Sequence, residues 1–162
     1  MSKTLFLARH AQSKGSNEGD DFHRDLTLIG MAESIQMGDR LALADIEIDH
    51  IIASSAIRTR MTAEVIASKL QGGIKISFKT ELYNAPLVTL IKAIGLIPPQ
   101  VKVALFIGHN PGLSYLATFL SDQSLDSFPP GAMVELLFTD LEWKEVRQGS
   151  AILKRYQTPT LT

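Results

Sequence analysis

The sequence predicts an α/β fold, a three-layer α/β/α sandwich around a mostly parallel central sheet, formed by residues 1–162 as one domain. Three observations predict it. Short apolar runs alternate with longer stretches in which apolar residues recur at helical spacing, the pattern of βαβ units. Glycine and proline punctuate the boundaries, at Gly72-Gly73, Pro98-Pro99 and Pro129-Pro130-Gly131. Finally, several apolar runs end abruptly in polar residues, as strands do when they deliver side chains to a crevice beyond their carboxyl ends.

Thr4 to Ala8 is apolar on both faces and reads as a buried central strand, ending in Arg9-His10. A polar loop from Gln12 to Asp25 follows, and Thr27 is a candidate cap for a helix carrying Ile29, Ala32, Ile35, Met37, Leu41 and Leu43. Ile51-Ile52-Ala53 is a β-branched strand that stops at Ser54-Ser55, and a second helix runs from Ala56 to the Gly72-Gly73 pair. Ile74 to Phe78 alternates as a strand with one wet face. Leu87 to Ile97 is a third helix, entered after Pro86 and closed by Pro98-Pro99.

Val101 to Ile107 is the second strongly apolar strand and meets Gly108-His109-Asn110-Pro111-Gly112; Leu113 to Leu120 is a short helix. Met133 to Phe138, Trp143 to Val146 and Ala151 to Tyr156 read as further strands, the last two antiparallel about a turn at Gln148-Gly149.

Composition narrows the function classes. Lysine and arginine number 16 against 17 acidic residues, a formal net charge of -1 that predicts no nucleic-acid surface while leaving room for a local basic pocket. Cysteine is absent, which excludes disulfides, thiolate catalysis and cysteine zinc sites. The histidines at 10, 23, 50 and 109 show no H-E-x-x-H pattern, so no metal and no cofactor are expected. No signal peptide or apolar stretch of membrane-spanning length is seen, which leads to the expectation of a cytoplasmic protein without a membrane partner.

If the first, second and fourth strands are parallel neighbours, Arg9, His10, Arg58 and His109 converge on one crevice. Guanidinium groups match phosphate oxygens bidentately, and one neutral imidazole can attack phosphorus while the other stabilises equatorial charge. Phosphoryl transfer is the chemistry that suits them. No P-loop is present, which argues against a nucleotide-dependent kinase.

The same residues form an ordered set of motifs: Arg9-His10-Ala11, Arg24-Asp25-Leu26-Thr27-Leu28-Ile29-Gly30, Ser54-Ser55-Ala56-Ile57-Arg58 with Thr62-Ala63-Glu64, Glu81-Leu82-Tyr83, and Gly108-His109-Asn110-Pro111-Gly112. The set, over residues 3–138, resembles the histidine phosphatase (phosphoglycerate mutase-like) superfamily and, within it, the short SixA-type phosphohistidine phosphatases. It departs from the family pattern at Ala11 (usually Gly), Asp25 and Ser55 (usually Pro), Thr59 (Ala) and Met61 (Gln). The resemblance implies that His10 is a nucleophile that becomes phosphorylated, with Arg9, Arg58 and His109 completing the phosphate pocket. Arg24 matches a family arginine and is a candidate either for the rim of the pocket or for a structural ion pair. Ser13 and Asn17, in the loop after the nucleophile, are candidate donors to phosphate or substrate.

Many family members carry a general-acid Glu at the position that is Asn84 here, and an amide cannot donate a proton as a carboxylic acid does. An imidazole leaving from a phosphoramidate needs that acid far less than an alkoxide does. The missing acid therefore favours P–N over P–O cleavage, and the SixA-type resemblance implies phosphohistidine on a signalling protein as substrate, with inorganic phosphate as product. The alternatives are a small-molecule phosphomonoesterase, with Glu81 or the Asp20-Asp21 loop supplying the acid, and a binding module without turnover.

Overall fold

A computed structural model describes residues 1–15 and 19–161. A six-stranded sheet runs through the molecule: β1 (Ser2–Arg9), β2 (His50–Ser54), β3 (Lys75–Lys79), β4 (Val103–Gly108), β5 (Met133–Thr139) and β6 (Ala151–Gln157). Their order is β3-β2-β4-β1-β5-β6. β1 and β2 both pair with β4 in parallel, β2 with β3 likewise, and β5 and β6 are antiparallel to their neighbours. The three strands that end in polar motifs are thus adjacent and parallel, as the sequence predicts. The register sets Arg9 beside Gly108, which brings the first and fourth motifs together at one end of the sheet.

Helices cover both faces. α1 (Leu28–Leu43) and α2 (Ile57–Ser68) enclose one apolar cluster with Phe6, Ile51, Leu105 and Ile107. α3 (Leu87–Gly95) and α4 (Gly112–Ser121) enclose the other with Leu5, Leu7, Phe106 and Val134. Among the described residues no helix is long and apolar enough to cross a membrane.

Thr27 caps α1 as expected, its Oγ1 accepting the Gly30 amide at 3.0 Å. The buried face of that helix differs from the apolar pattern, however. It is Gly30, Glu33, Ser34, Met37, Gly38 and Leu41, while Ile29, Ile35 and Leu43 are exposed. Close approach is the cause. A Cβ at Gly30 would sit 2.0 Å from the Gln12 carbonyl oxygen, and one at Gly38 would sit 2.8 Å from the Lys69 side chain. Small residues let α1 lie directly on the Gln12 backbone and on the end of α2.

Two boundaries and one element type also differ in ways that have a physical cause. α3 stops at Gly95 rather than Ile97, because the residue before a proline is pushed out of helical geometry. Val101 belongs to a turn, its amide donating to the Pro98 carbonyl, so β4 begins at Val103. Trp143 to Val146 is not a strand: Trp143–Glu145 is a 3₁₀ turn closed by reciprocal Glu142 and Glu145 contacts. Its buried indole donates to the Val101 carbonyl at 2.7 Å, so Trp143 packs into the core rather than along a sheet edge.

Candidate active site

The carboxyl ends of β1, β2 and β4 open into a cavity of about 420 Å³ lined by Arg9, His10, Ser13, Asp21, Arg24, Arg58, Asn84 and His109, among others. His10 is 5% exposed. Its backbone is held on both sides, the amide donating to Gly108 and the carbonyl accepting from Gly131. Its Nδ1 lies 2.8 Å from the Ala11 carbonyl oxygen, and that carbonyl can only accept. Nδ1 therefore carries the proton and Nε2 the lone pair. Consistently, the Arg58 Nε–H donates toward His10 Nε2 at 3.3 Å. Burial, followed by His109, Arg58 and Arg9 as neighbours, lowers the His10 pKa to about 3. The ring is neutral at pH 7 and holds its unprotonated nitrogen against a guanidinium.

Ala11 fits where the family pattern has glycine. It is fully buried, and its amide donates to Thr62 Oγ1 at 3.1 Å. Thr62 in turn donates to the Arg58 carbonyl at 2.8 Å, so α2 holds the backbone after His10 and the arginine in one arrangement. From the α1 side, Glu33 accepts the Gln12 amide at 2.7 Å.

His109 faces His10 with ring centroids 5.3 Å apart. Arg58 Nη2 donates toward its Nδ1 at 3.4 Å, so Nε2 bears the proton, given to Ser54 Oγ at 2.8 Å. Burial and Arg58 lower its pKa to about 4. Arg9 donates to the Phe128 carbonyl at 3.0 Å, and its Nε is a buried donor without a partner among the described residues. Two guanidinium groups and two imidazoles, close together and mostly buried, make a site whose electrostatics call for an anion.

The remaining candidates divide. Ser13 and Arg24 both line the cavity, but they bond to each other, Arg24 Nη1 donating to Ser13 Oγ at 2.9 Å. Arg24 is also paired with Asp21 at 2.8 Å. Asn17 lies outside the described residues. Glu81 is exposed and is not part of the cavity lining, so the carboxyl considered as a substitute acid is elsewhere. Asn84 does line it. His23 is exposed beside Asp20, and His50 stands at the opposite end of the sheet with Ser77.

The sequence signals Asp21 only within the Asp20-Asp21 loop, as an alternative source of acid. Its carboxylate reaches into the cavity, accepts from Tyr83 Oη and pairs with Arg58 at 3.0 Å. The Tyr83 hydrogen bond, then Arg24 and Arg58, hold it well below the usual carboxylate range, so it is ionised and has no proton to give. Ser54 and Thr62 were visible only as motif neighbours, the first a hydroxyl at the end of β2 and the second a hydroxyl within α2. Among the described residues no group of three or more His, Cys, Asp or Glu is placed to hold a metal ion.

Comparison with known proteins agrees with this geometry. The chain is 31% identical over 86 residues to the mitochondrial serine/threonine-protein phosphatase PGAM5 of Xenopus tropicalis, spanning 53% of this chain and only 31% of that protein. Its fold is similar to that of a protein assigned as the phosphohistidine phosphatase SixA of Nakamurella multipartitia, with a TM-score of 0.86 at 23% identity over 99% of this chain and 98% of that one. A SixA protein histidine phosphatase complexed with tungstate superposes with a TM-score of 0.82 at 21% identity, over 96% of each chain. A phosphoglycerate mutase from Plasmodium falciparum gives 0.66 at 18% identity over 99% of this chain and 96% of that one, which fixes the fold class as phosphoglycerate mutase-like. Residues 5–85, which carry Arg9-His10 and Arg58, match the histidine phosphatase superfamily (branch 1), and it is to this superfamily that the chain belongs.

Proposed function

We propose that this protein is a phosphohistidine phosphatase that takes the phosphoryl group from phosphohistidine on a signalling protein, through a phosphoryl-His10 intermediate, and releases inorganic phosphate. The observation that carries the reading is the state of His10: Nδ1–H fixed on the Ala11 carbonyl, Nε2 unprotonated in a cationic pocket. In the first step the Nε2 lone pair attacks phosphorus and the P–N bond to the substrate imidazole breaks, the leaving ring keeping the electron pair. The Ala11 carbonyl stabilises the positive charge that His10 gains. Arg9 and Arg58 face the equatorial oxygens, and His109 adds a polar contact. In the second step water attacks phosphorus, and His10 Nε2 leaves with its pair restored.

The preference for P–N over P–O cleavage rests on proton supply. Asn84, which the resemblance aligns with the family's acid, lines the cavity with an amide, and Asp21 is ionised. A phosphoimidazole protonated on its distal nitrogen departs as neutral imidazole without help, whereas an alkoxide does not. Neither step assigns a role to a metal or cofactor, because Arg9 and Arg58 supply the positive charge.

One observation favours a second reading. Asn84, His109 and Asn110 also border a neighbouring cavity of about 500 Å³ whose walls include Pro86, Leu87 and Tyr115, room for the organic group of a small phosphomonoester. Comparing kcat/KM for a phosphohistidine-bearing protein with a panel of alkyl and aryl phosphates decides between them. The proposal expects the phosphoprotein to be favoured most strongly over the alkyl esters. Faster turnover of the monoesters would transfer the assignment to the second reading.

A further inference from the structure

Arg58 is 3% exposed and its donors are largely committed. Nε–H faces His10, Nη1 donates to the Asp21 carbonyl oxygen at 2.6 Å, and Nη2 donates to Asp21 Oδ2 at 3.0 Å while facing His109 Nδ1 at 3.4 Å. A guanidinium has five N–H groups, so a phosphoryl group arriving beside His10 finds little left on Arg58 to bind. A carboxylate already holds the arginine. That carboxylate is fixed from two further directions: Tyr83 Oη donates to the same Oδ2, and Arg24 Nε donates to Oδ1 at 3.0 Å. The Asp21–His23 turn carrying it is capped by Asp20, and Phe22 packs edge-on against Tyr83 with centroids 5.2 Å apart.

We propose that Asp21 is a built-in competitor for phosphate: it latches Arg58 in the empty pocket, yields it to an incoming phosphoryl group, and returns to expel inorganic phosphate. Carboxylate and phosphate both match a guanidinium bidentately, and two anions cannot share Arg58 without repelling each other. Being tethered, Asp21 competes at a high effective concentration, while Arg24 can retain it once Arg58 is taken. The latch weakens substrate and product alike, but turnover gains from it at the product stage, when phosphate must leave two arginines. The inference rests on the pocket being a phosphate site and is independent of the choice between phosphohistidine and ester.

The test is calorimetric titration with inorganic phosphate of the wild type, Asp21→Asn, Tyr83→Phe and Arg58→Ala, each first checked for folding by thermal unfolding. Asp21→Asn should bind phosphate about tenfold more tightly, the order of one charge-assisted contact released to the ligand. Tyr83→Phe keeps every charge but loosens the tether, and should tighten binding by less. A wild-type structure with phosphate should show Asp21 parted from Arg58. Equal or weaker phosphate binding by Asp21→Asn would overturn the latch. So would a gain in Asp21→Asn with none in Tyr83→Phe and Asp21 still on Arg58 beside bound phosphate, since Asp21 would then act only as background charge. Wild-type protein that binds no phosphate, with Arg58→Ala behaving identically, would bring down the pocket reading and the latch together.

Discussion

The two ends of β1 bury charge in opposite ways. Near its start Lys3 is 1% exposed, yet its ammonium donates to the Pro99 and Val101 carbonyls at 2.5 and 3.1 Å and lies 3.7 Å from the Glu142 carboxylate. Close by, Asp49 accepts the Lys102 and Val103 amides at 2.8 and 2.9 Å. The buried Lys3 ammonium and the exposed Asp49 carboxylate are both answered from within the chain. At the other end of the same strand, Arg9 and His10 meet Arg58 and His109, and among the described residues Asp21 is the one carboxylate lining the cavity with them; among those residues Arg9 Nε has no partner, and both imidazoles are driven toward neutrality. Buried polarity that serves the fold is satisfied internally. Buried polarity that serves a ligand remains in electrostatic deficit until the ligand arrives.

That contrast predicts a reciprocal pair of variants. Arg58→Ala should lose roughly ten- to hundredfold in kcat/KM, the worth of charge-assisted bonds to phosphate. Lys3→Met should leave kcat/KM unchanged but lower stability by about 1–3 kcal/mol, because the carbonyls around it lose their donor. Denaturant unfolding alongside steady-state kinetics checks both. Equal effects of the two variants on both readouts would erase the distinction between the ends.

Much of this division is legible in the sequence. Arg9, His10, Arg58 and His109 lie at or just beyond the ends of recognisable strands, so topology alone carries them to one place. The contacts that tune them were not legible. Asp21 is 37 residues from Arg58 and 62 from Tyr83, and within a polar loop it looks like any solvated aspartate. Ser13, expected as a donor from the loop, and Arg24, expected at the rim, both line the cavity, but their mutual hydrogen bond is a tertiary fact. The buried stripe of α1 escaped because contact with Gln12 and Lys69 selects small residues, which no hydrophobic period reports. Trp143 misled by its strand propensity, which its hydrogen bond to Val101 overrides.

A smaller effect should appear in the pH dependence of stability. His10 and His109 have pKa values lowered to about 3 and about 4, whereas an unfolded histidine titrates near 6.5. The unfolded chain therefore takes up protons that the fold refuses, and stability, complete above about pH 6.5, should fall progressively as pH drops toward 4. Saturating phosphate should flatten that slope, because a bound anion lets the imidazoles hold protons. Melting temperatures measured from pH 7 to 4, with and without phosphate, report it; a slope indifferent to phosphate would place the titrating groups away from the pocket.

The most direct test of the central claim is to trap the protein during turnover of a phosphohistidine substrate, quench it in alkaline denaturant, where a P–N bond survives, and locate the phosphoryl group by mass spectrometry. The account predicts one phosphoryl group on His10, appearing within a single turnover, absent from His10→Ala and decaying as inorganic phosphate is released. Full activity in His10→Ala, or a phosphoryl group carried on any other residue, would contradict it.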